Sequence, residues 1–303
     1  MATVLIAGGT GLIGSRLRVL LKERNHEVLI LSRKKRKDTD YQYFQWDVDQ
    51  QFIEEEAIQK ADYIINLAGA GIADGLWTKS RKQLIINSRV KTNNLLLAYA
   101  QKIKMPKAFV AASAIGFYGE QGDQLVDETT PPPTDGFLST STQAWEKSID
   151  KIADTNIRTV KIRIGIVLSK QGGALAKMLP SFKVGIGTYF GDGSQYYSWI
   201  HIDDLCRIFI QAIENEQLAG TYNGVAPHPV TNKTLTESIK QALSSSALII
   251  PAPSIALRLA MGEMADVVLT STRVSANKIL RTDFNFQFPE IVPALKDIID
   301  RKI

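Results

Sequence analysis

The stretch Val4-Leu5-Ile6-Ala7-Gly8-Gly9-Thr10-Gly11-Leu12-Ile13-Gly14 constrains this chain more tightly than any other. Its apolar start fits a short buried strand, and Gly8, Gly11 and Gly14 stand at G-x-x-G-x-x-G spacing. Leu17, Leu20 and Leu21 then recur at i, i+3, i+4, the period of one helical face. Strand, tight turn and helix in that order aim a helix N-terminus at an anion such as a diphosphate, with free N–H groups and partial positive charge. Gly8 permits the turn, Gly11 lets phosphates approach the backbone, and Gly14 lets the helix lie against the strand. Three glycines alone could serve ordinary turns, but the strand before and the helix after supply the context a dinucleotide site requires. The expected contacts here are Gly8, Thr10, Gly11, Leu12, Ile13 and Gly14.

A second apolar run, Glu27–Leu31, ends where an NAD site places an Asp or Glu for the ribose 2′-hydroxyl, about twenty residues past the glycines. This chain has Ser32-Arg33 at that point. A carboxylate would repel a 2′-phosphate, whereas a hydroxyl and a guanidinium suit one, so the cofactor reads as NADP(H). The plain alternative is that Arg33 begins a solvated basic loop, Arg33-Lys34-Lys35-Arg36-Lys37. Further strands are expected at Tyr41–Trp46 and Tyr63–Gly69. The end of the latter, Leu67-Ala68-Gly69, would let its backbone touch a cofactor. A helix over Thr78–Lys102 carries Arg89, which either reaches the cofactor or faces water. Strands at Lys107–Ala112 and Arg158–Ser169 follow, the second placing Gly165 beside the nicotinamide end. Between them Gln121–Gly136, with prolines at 131–133, is extended.

Bulk properties exclude several alternatives. The net charge of +5, from 36 basic and 31 acidic residues, is mild and partly concentrated at residues 33–37. Nucleic-acid binding would call for basic residues spread over a face with aromatics between them. Apolar runs such as Ala247–Ile250 are too short to span a bilayer, and residues 4–7 lead into glycines rather than a cleavage site. A cytoplasmic location without membrane contact is expected. The single cysteine, Cys206, fits a reducing compartment and reads as a buried packing residue. His26, His201 and His228 show no metal-ligand spacing, so no metal is expected. Neither a G-x-S-x-G elbow nor a P-loop is present. In Trp199-Ile200-His201-Ile202-Asp203-Asp204 the aspartates read as helix caps.

GGTGLIG, the NLAG strand end, SAIGFYG, RIGIVLS and WIHIDDL together resemble the extended short-chain dehydrogenase/reductase superfamily. More narrowly, NSRV, GGALAKMLP, GDGSQYYSWIHIDD and NGVAPHPVTN resemble its atypical "epimerase family protein" group, whose bacterial members are often called cell-division inhibitors. The resemblance runs nearly end to end. It implies cofactor contacts from the glycine loop, Ser32-Arg33, Leu67-Ala68 and Arg89. It also implies oxidoreductase or epimerase-like chemistry on a small polar molecule, a nucleotide sugar by superfamily analogy.

That superfamily's usual chemistry needs Tyr-x-x-x-Lys, the Lys lowering the tyrosine pKa so that a phenolate can exchange a proton while hydride moves. Aligning Trp145-Glu146 with the usual hydrophobic-Glu pair puts Leu138 at the Tyr position and Thr142 at the Lys position, and neither can serve. Lys147 has no tyrosine four residues before it. The remaining candidates are Ser113, for hydrogen bonding a substrate or the carboxamide, and Tyr118, as proton donor or as a structural Tyr-Gly. Trp145 reads as core packing. Tyr196, Tyr197 and Trp199 are expected to line a substrate cleft with the glycine-rich stretch 172–193.

The expected architecture is α/β, a Rossmann-like doubly wound parallel sheet with a smaller C-terminal α/β substrate-side region. Residues 1–170, with 195–225 returning, form the cofactor part; 171–194 and 226–303 form the smaller region. The functional reading is an NADP(H)-binding oxidoreductase or epimerase-like protein with a small-molecule substrate. Its alternative is a catalytically silent NADP(H) sensor or partner-binding module, and the assembly is a monomer or homodimer.

Overall fold

A computed structural model describes residues 1–34, 36 and 39–301. Lys35 and Lys37 of the basic run lie outside the described residues. Eight strands form one sheet: β1 (Thr3–Ala7), β2 (Glu27–Ser32), β3 (Gln42–Asp47), β4 (Phe52–Ile53), β5 (Tyr63–Asn66), β6 (Ala108–Ala114), β7 (Arg158–Ile164) and β8 (Gly220–Gly224). Their order is β8-β7-β6-β5-β1-β2-β3-β4, parallel throughout except for the short β4 edge. The order reverses between β1 and its neighbours β2 and β5, and a sheet of this kind binds ligands at the C-terminal strand ends beside that reversal.

The central strands β1, β2 and β5 are Val/Ile/Leu-rich and, with β6, buried on both faces, as crossover helices require. Helix α1 (Leu12–Glu23) buries Gly14, Leu17 and Leu21 against the sheet. Helix α2 (Lys79–Lys102) starts where Thr78 Oγ1 accepts from the Arg81 N–H at 3.2 Å. It packs on α3 (Phe137–Ala153). Between them Asn66 Nδ2 donates to Asn93 Oδ1 (2.7 Å) and Asn93 Nδ2 to Ser148 Oγ (2.8 Å), a buried chain that fixes both helices against the end of β5.

Two expected elements differ. Strand β5 ends at Asn66, because Asn66 Oδ1 turns back to accept from the Ala68 N–H at 3.0 Å. The strand expected over Arg158–Ser169 divides at Gly165. Beyond it Ile166–Leu168 leaves the main sheet and pairs with Trp199–His201. A Cβ on Gly165 would strike the Ser198 carbonyl oxygen and stand 2.8 Å from Val225 Cγ1, so the crossing admits only glycine.

Further helices are α4 (Gly173–Lys183), α5 (Ile202–Glu214), α6 (Asn232–Ala242), α7 (Ser254–Met261) and α8 (Ile291–Asp300), beside the short Glu55–Lys60, Asp266–Leu269 and Asn277–Leu280. A second apolar cluster, with Leu175, Phe182, Trp199, Leu235, Ile239 and Leu295, lies under α4, α6 and α8. The stretch after α4 forms a strand, Ile186–Phe190, paired with Leu248–Ala252, instead of an open cleft loop. Trp199 is fully buried and donates from Nε1 to the His228 carbonyl, so it belongs to this core.

The cap of α5 is His201, not an aspartate. Burial lowers its pKa, its neutral ring accepts the Asp203 N–H at Nδ1 (3.1 Å), and Phe288 stacks on it. Asp203 is thereby free to bind Arg16 of α1 through two hydrogen bonds and Arg301 through a third. Those guanidiniums overcome the burial that opposes ionisation and hold the Asp203 carboxyl well below the usual carboxylate range. Cys206 is buried as expected, its thiol pushed up by burial.

Candidate functional site

The turn after β1 is built on close backbone approach. Gly8 has φ +84°, and a Cβ there would stand 2.8 Å from the Leu67 carbonyl carbon. The Gly11 N–H donates to the Gly8 carbonyl at 3.0 Å. A Cβ on Gly14 would collide with that same carbonyl oxygen and lie 2.6 Å from Gly9 Cα. Around Gly11 the space is open: the Gly8 oxygen at 3.4 Å is the one atom within 4 Å of its Cβ position. No side chain caps α1, and its first turn carries no acid. Free N–H groups at Leu12 and Ile13 therefore face an open, glycine-lined approach, which is how a helix end holds phosphate oxygens.

The neighbouring sequence-derived residues converge on this turn. Leu31 pairs with Ala7, which puts Ser32 and Arg33 beside the end of β1. Ser32 Oγ donates to the Lys34 carbonyl at 2.8 Å, and Arg33 is exposed, with no hydrogen bond or ion pair among the described residues. Leu67 and Ala68 lie against Gly8. Thr10 is exposed at the turn itself. Arg89 crosses from α2, its guanidinium carbon 3.1 Å from where a Gly69 Cβ would stand.

Arg89 carries the unusual electrostatics of the site. It donates to the Ile85 carbonyl (2.9 Å) and stacks over Trp145 (4.8 Å), with no carboxylate in ion-pair reach among the described residues. Burial, aided by the like charge of Arg81, lowers its pKa to about 10, so it stays cationic at neutral pH. A half-buried cation with no counter-ion among the described residues is suited electrostatically to an anionic ligand.

Beyond Arg89 opens a cavity of about 240 Å³, bordered by Ala114, Leu138, Thr142, Trp145, Gly165 and Tyr196 among others. Leu138 and Thr142, aligned with the usual tyrosine and lysine, thus stand in its wall. Lys147 is exposed and does not border it. Trp145 is buried in the core as expected and also lines the cavity, as do Tyr197 and, from the C-terminal segment that no sequence motif marks, Val267, Thr270 and Thr272.

Neither candidate catalytic residue, Ser113 or Tyr118, borders the cavity, and Tyr118 takes the structural place that was its alternative. Ser113 is buried and donates to Glu146 Oε1 at 2.6 Å, facing α3 rather than the cavity. Tyr118 is fully buried; its hydroxyl donates to Asn223 Oδ1 (2.8 Å) and accepts from Arg163 Nη1 (3.0 Å). Burial pushes the phenol up to about 12, despite Arg163, which disfavours a phenolate. Both belong to a network centred on Arg163 and Glu146, joined by two 2.8 Å hydrogen bonds. Burial raises the Glu146 carboxyl, but Arg163, Ser113 and Lys161 more than offset that and hold it below its ordinary value. Among the described residues no group of His, Cys, Asp and Glu could hold a metal, and no helix is long and apolar enough to cross a membrane.

Residues 4–223 match the model of the NAD dependent epimerase/dehydratase family. The chain belongs to that family. Residues 252–298, which supply Val267, Thr270 and Thr272, match a second model, a domain of unknown function. As a member of the epimerase/dehydratase family the chain is 34% identical to human epimerase family protein SDR39U1 over 300 residues, covering 98% of this chain and 99% of that one. It is 33% identical to epimerase family protein YfhF of Bacillus subtilis over 303 residues, 99% of each. The crystal structure of human SDR39U1 (isoform 2) with NADPH superposes with a TM-score of 0.89 at 32% identity, covering 99% of this chain and 100% of the other.

Proposed function

We propose that this family member binds NADP(H) along the C-terminal ends of β2, β1 and β5. The observation that carries the reading is the pairing of an uncapped, glycine-lined α1 N-terminus with an exposed Arg33, unpartnered among the described residues, at the end of β2. The backbone N–H groups of Leu12 and Ile13 hold the diphosphate, with Gly8, Thr10, Gly11 and Gly14 giving the turn its shape. Ser32 and Arg33 take the 2′-phosphate, where a carboxylate would repel it. Leu67, Ala68 and Gly69 flank the middle of the cofactor, Arg89 neutralises its remaining negative charge, and Gly165 borders the cavity at its far end. The human relative solved with NADPH agrees with this choice.

When bound, NADPH supplies hydride. The chain's own part is to orient it and to exclude water with an apolar wall. Leu138 and Thr142 cannot pass a proton, and Tyr118 and Ser113 are committed to the Arg163 network. A substrate proton therefore comes from another cavity group or from water. The same residues favour a second reading, an NADP(H)-binding protein without turnover. NADPH oxidation across a broad carbonyl panel separates the two, since a folded, NADPH-loaded protein that oxidises none of them supports the second.

The cofactor reading is tested by equilibrium titration. NADPH is expected to bind at least roughly tenfold more tightly than NADH, about 1.4 kcal/mol, and Arg33→Asp to abolish that preference. Equal affinities in the wild type, unchanged in Arg33→Asp, would sink it.

A further inference from the structure

We infer, resting on the NADP(H) reading above, that the second ligand of this site is a compact, largely apolar molecule bearing one carbonyl-type acceptor, not a nucleotide sugar. The cavity of about 240 Å³ is small. It falls below the roughly 300–1,000 Å³ of sites for drug-sized ligands. Its wall is dominated by aliphatic side chains, among them Ile72, Ile85, Ile115, Leu138, Ile164 and Ile166.

The hydroxyls in that wall are mostly spent on the protein. Thr142 donates to the Leu138 carbonyl (2.7 Å), Tyr197 to Val268 (2.7 Å), Ser198 to Thr272 (2.8 Å) and Thr272 to Gly119 (2.9 Å). Ser141 also donates to Leu138. Arg89 is assigned to the cofactor. One buried donor then remains without an acceptor among the described residues, the indole N–H of Trp145, and the half-buried Tyr196 and Thr270 hydroxyls make no side-chain hydrogen bond among them. An unpaired buried donor costs about 1–3 kcal/mol, so the Trp145 N–H gains from an acceptor brought in by a ligand, and the two hydroxyls can add to it. A hexose, with a hydroxyl on most ring carbons, would bury several donors and acceptors that this wall cannot match.

The adjoining hollow speaks against the rest of a nucleotide sugar. It shares Leu138 and Thr270 with the cavity, so a ligand too long for the cavity would extend into it. Glu120, Asp135 and Asp266 line it with a single guanidinium, Arg258, which is hydrogen-bonded to Asp266 at 3.0 Å. Three carboxylates in a hollow with one paired cation repel a diphosphate.

Calorimetric titration of the NADPH-loaded protein with 4-phenyl-2-butanone and with UDP-glucose tests this inference. The ketone is expected to bind saturably and at least tenfold more tightly than UDP-glucose. Trp145→Phe, which keeps the ring and removes the donor, is expected to weaken the ketone about fivefold, and Thr270→Val to weaken it similarly. Failure of NADPH itself to bind removes the cofactor reading and this inference with it. Normal NADPH binding, with UDP-glucose matching or exceeding the ketone, or with no saturable ketone binding, overturns this inference alone.

Discussion

Gly14→Val is expected to weaken NADPH binding by roughly a hundredfold or more, about 2.7 kcal/mol, and to destabilise the fold by about 1–3 kcal/mol. A residue with a side chain inside a helix normally gains stability over glycine, by about 1 kcal/mol for alanine. Here the sign reverses, because the first added carbon meets the Gly8 carbonyl oxygen and Gly9 Cα, both backbone. Backbone cannot swing aside as a side chain can. To make room, α1 must move off β1 or the Gly8 turn must open, and opening it breaks the 3.0 Å bond from the Gly11 N–H. Either movement displaces the Leu12 and Ile13 N–H groups from the diphosphate. Urea unfolding separates the two effects from each other, and Gly14→Ala should show both in milder form. Wild-type NADPH affinity in a folded Gly14→Val protein would contradict the assignment of this turn.

Glu146→Ala is expected to cost about 3–5 kcal/mol of stability, since it leaves the Arg163 guanidinium buried without its counter-charge. Both side chains are only 5% exposed. Ser113 loses its acceptor, and the Arg163 bond to Tyr118 then carries a larger share of an unbalanced charge. The double variant Glu146→Ala with Arg163→Met should recover part of the loss, because it removes the unpaired cation as well as the acid. The pH dependence has a definite sign. The Glu146 carboxyl is held below its ordinary value, so the pair's contribution is full above the ordinary carboxylate range and fades as pH falls through the depressed value. The stability gap between wild type and Glu146→Ala should therefore narrow in acid. Denaturant midpoints from neutral pH downward give the measurement, and a neutral-pH gap under about 1 kcal/mol would remove the network from the account.

The parts of the fold that sequence makes legible are those governed by local rules. The glycine spacing at 8–14, the apolar run at 27–31 and the helical stretch over 78–102 each depend on residues within a few positions of one another, and β1, β2 and α2 emerge close to their expected bounds. Contacts between distant segments were not legible. Gly165 reads as one residue of a long strand, yet the Ser198 carbonyl pressing on it divides that strand in two. Asp203 reads as a helix cap, yet Arg16 and Arg301, remote in sequence, claim its carboxylate and leave the cap to His201.

The candidate site divides in the same way. The proposed cofactor side rests on residues local to strand ends, which the structure brings together around the Gly8–Gly14 turn. The substrate side could not, because Ser113 and Tyr118 sit in the expected loop but their direction is set by Glu146, Arg163 and Asn223. Thr270 and Thr272 reach the cavity from a segment without a motif of its own.

The measurement closest to the central claim is a crystal structure of the protein grown with NADPH. It is expected to show diphosphate oxygens within about 3 Å of the Leu12 and Ile13 nitrogens, the 2′-phosphate on Ser32 and Arg33, and the nicotinamide beside Gly165 at the mouth of the Leu138–Thr142 cavity. A diphosphate seated away from the α1 N-terminus, or a 2′-phosphate turned from Arg33 into solvent, would contradict the account.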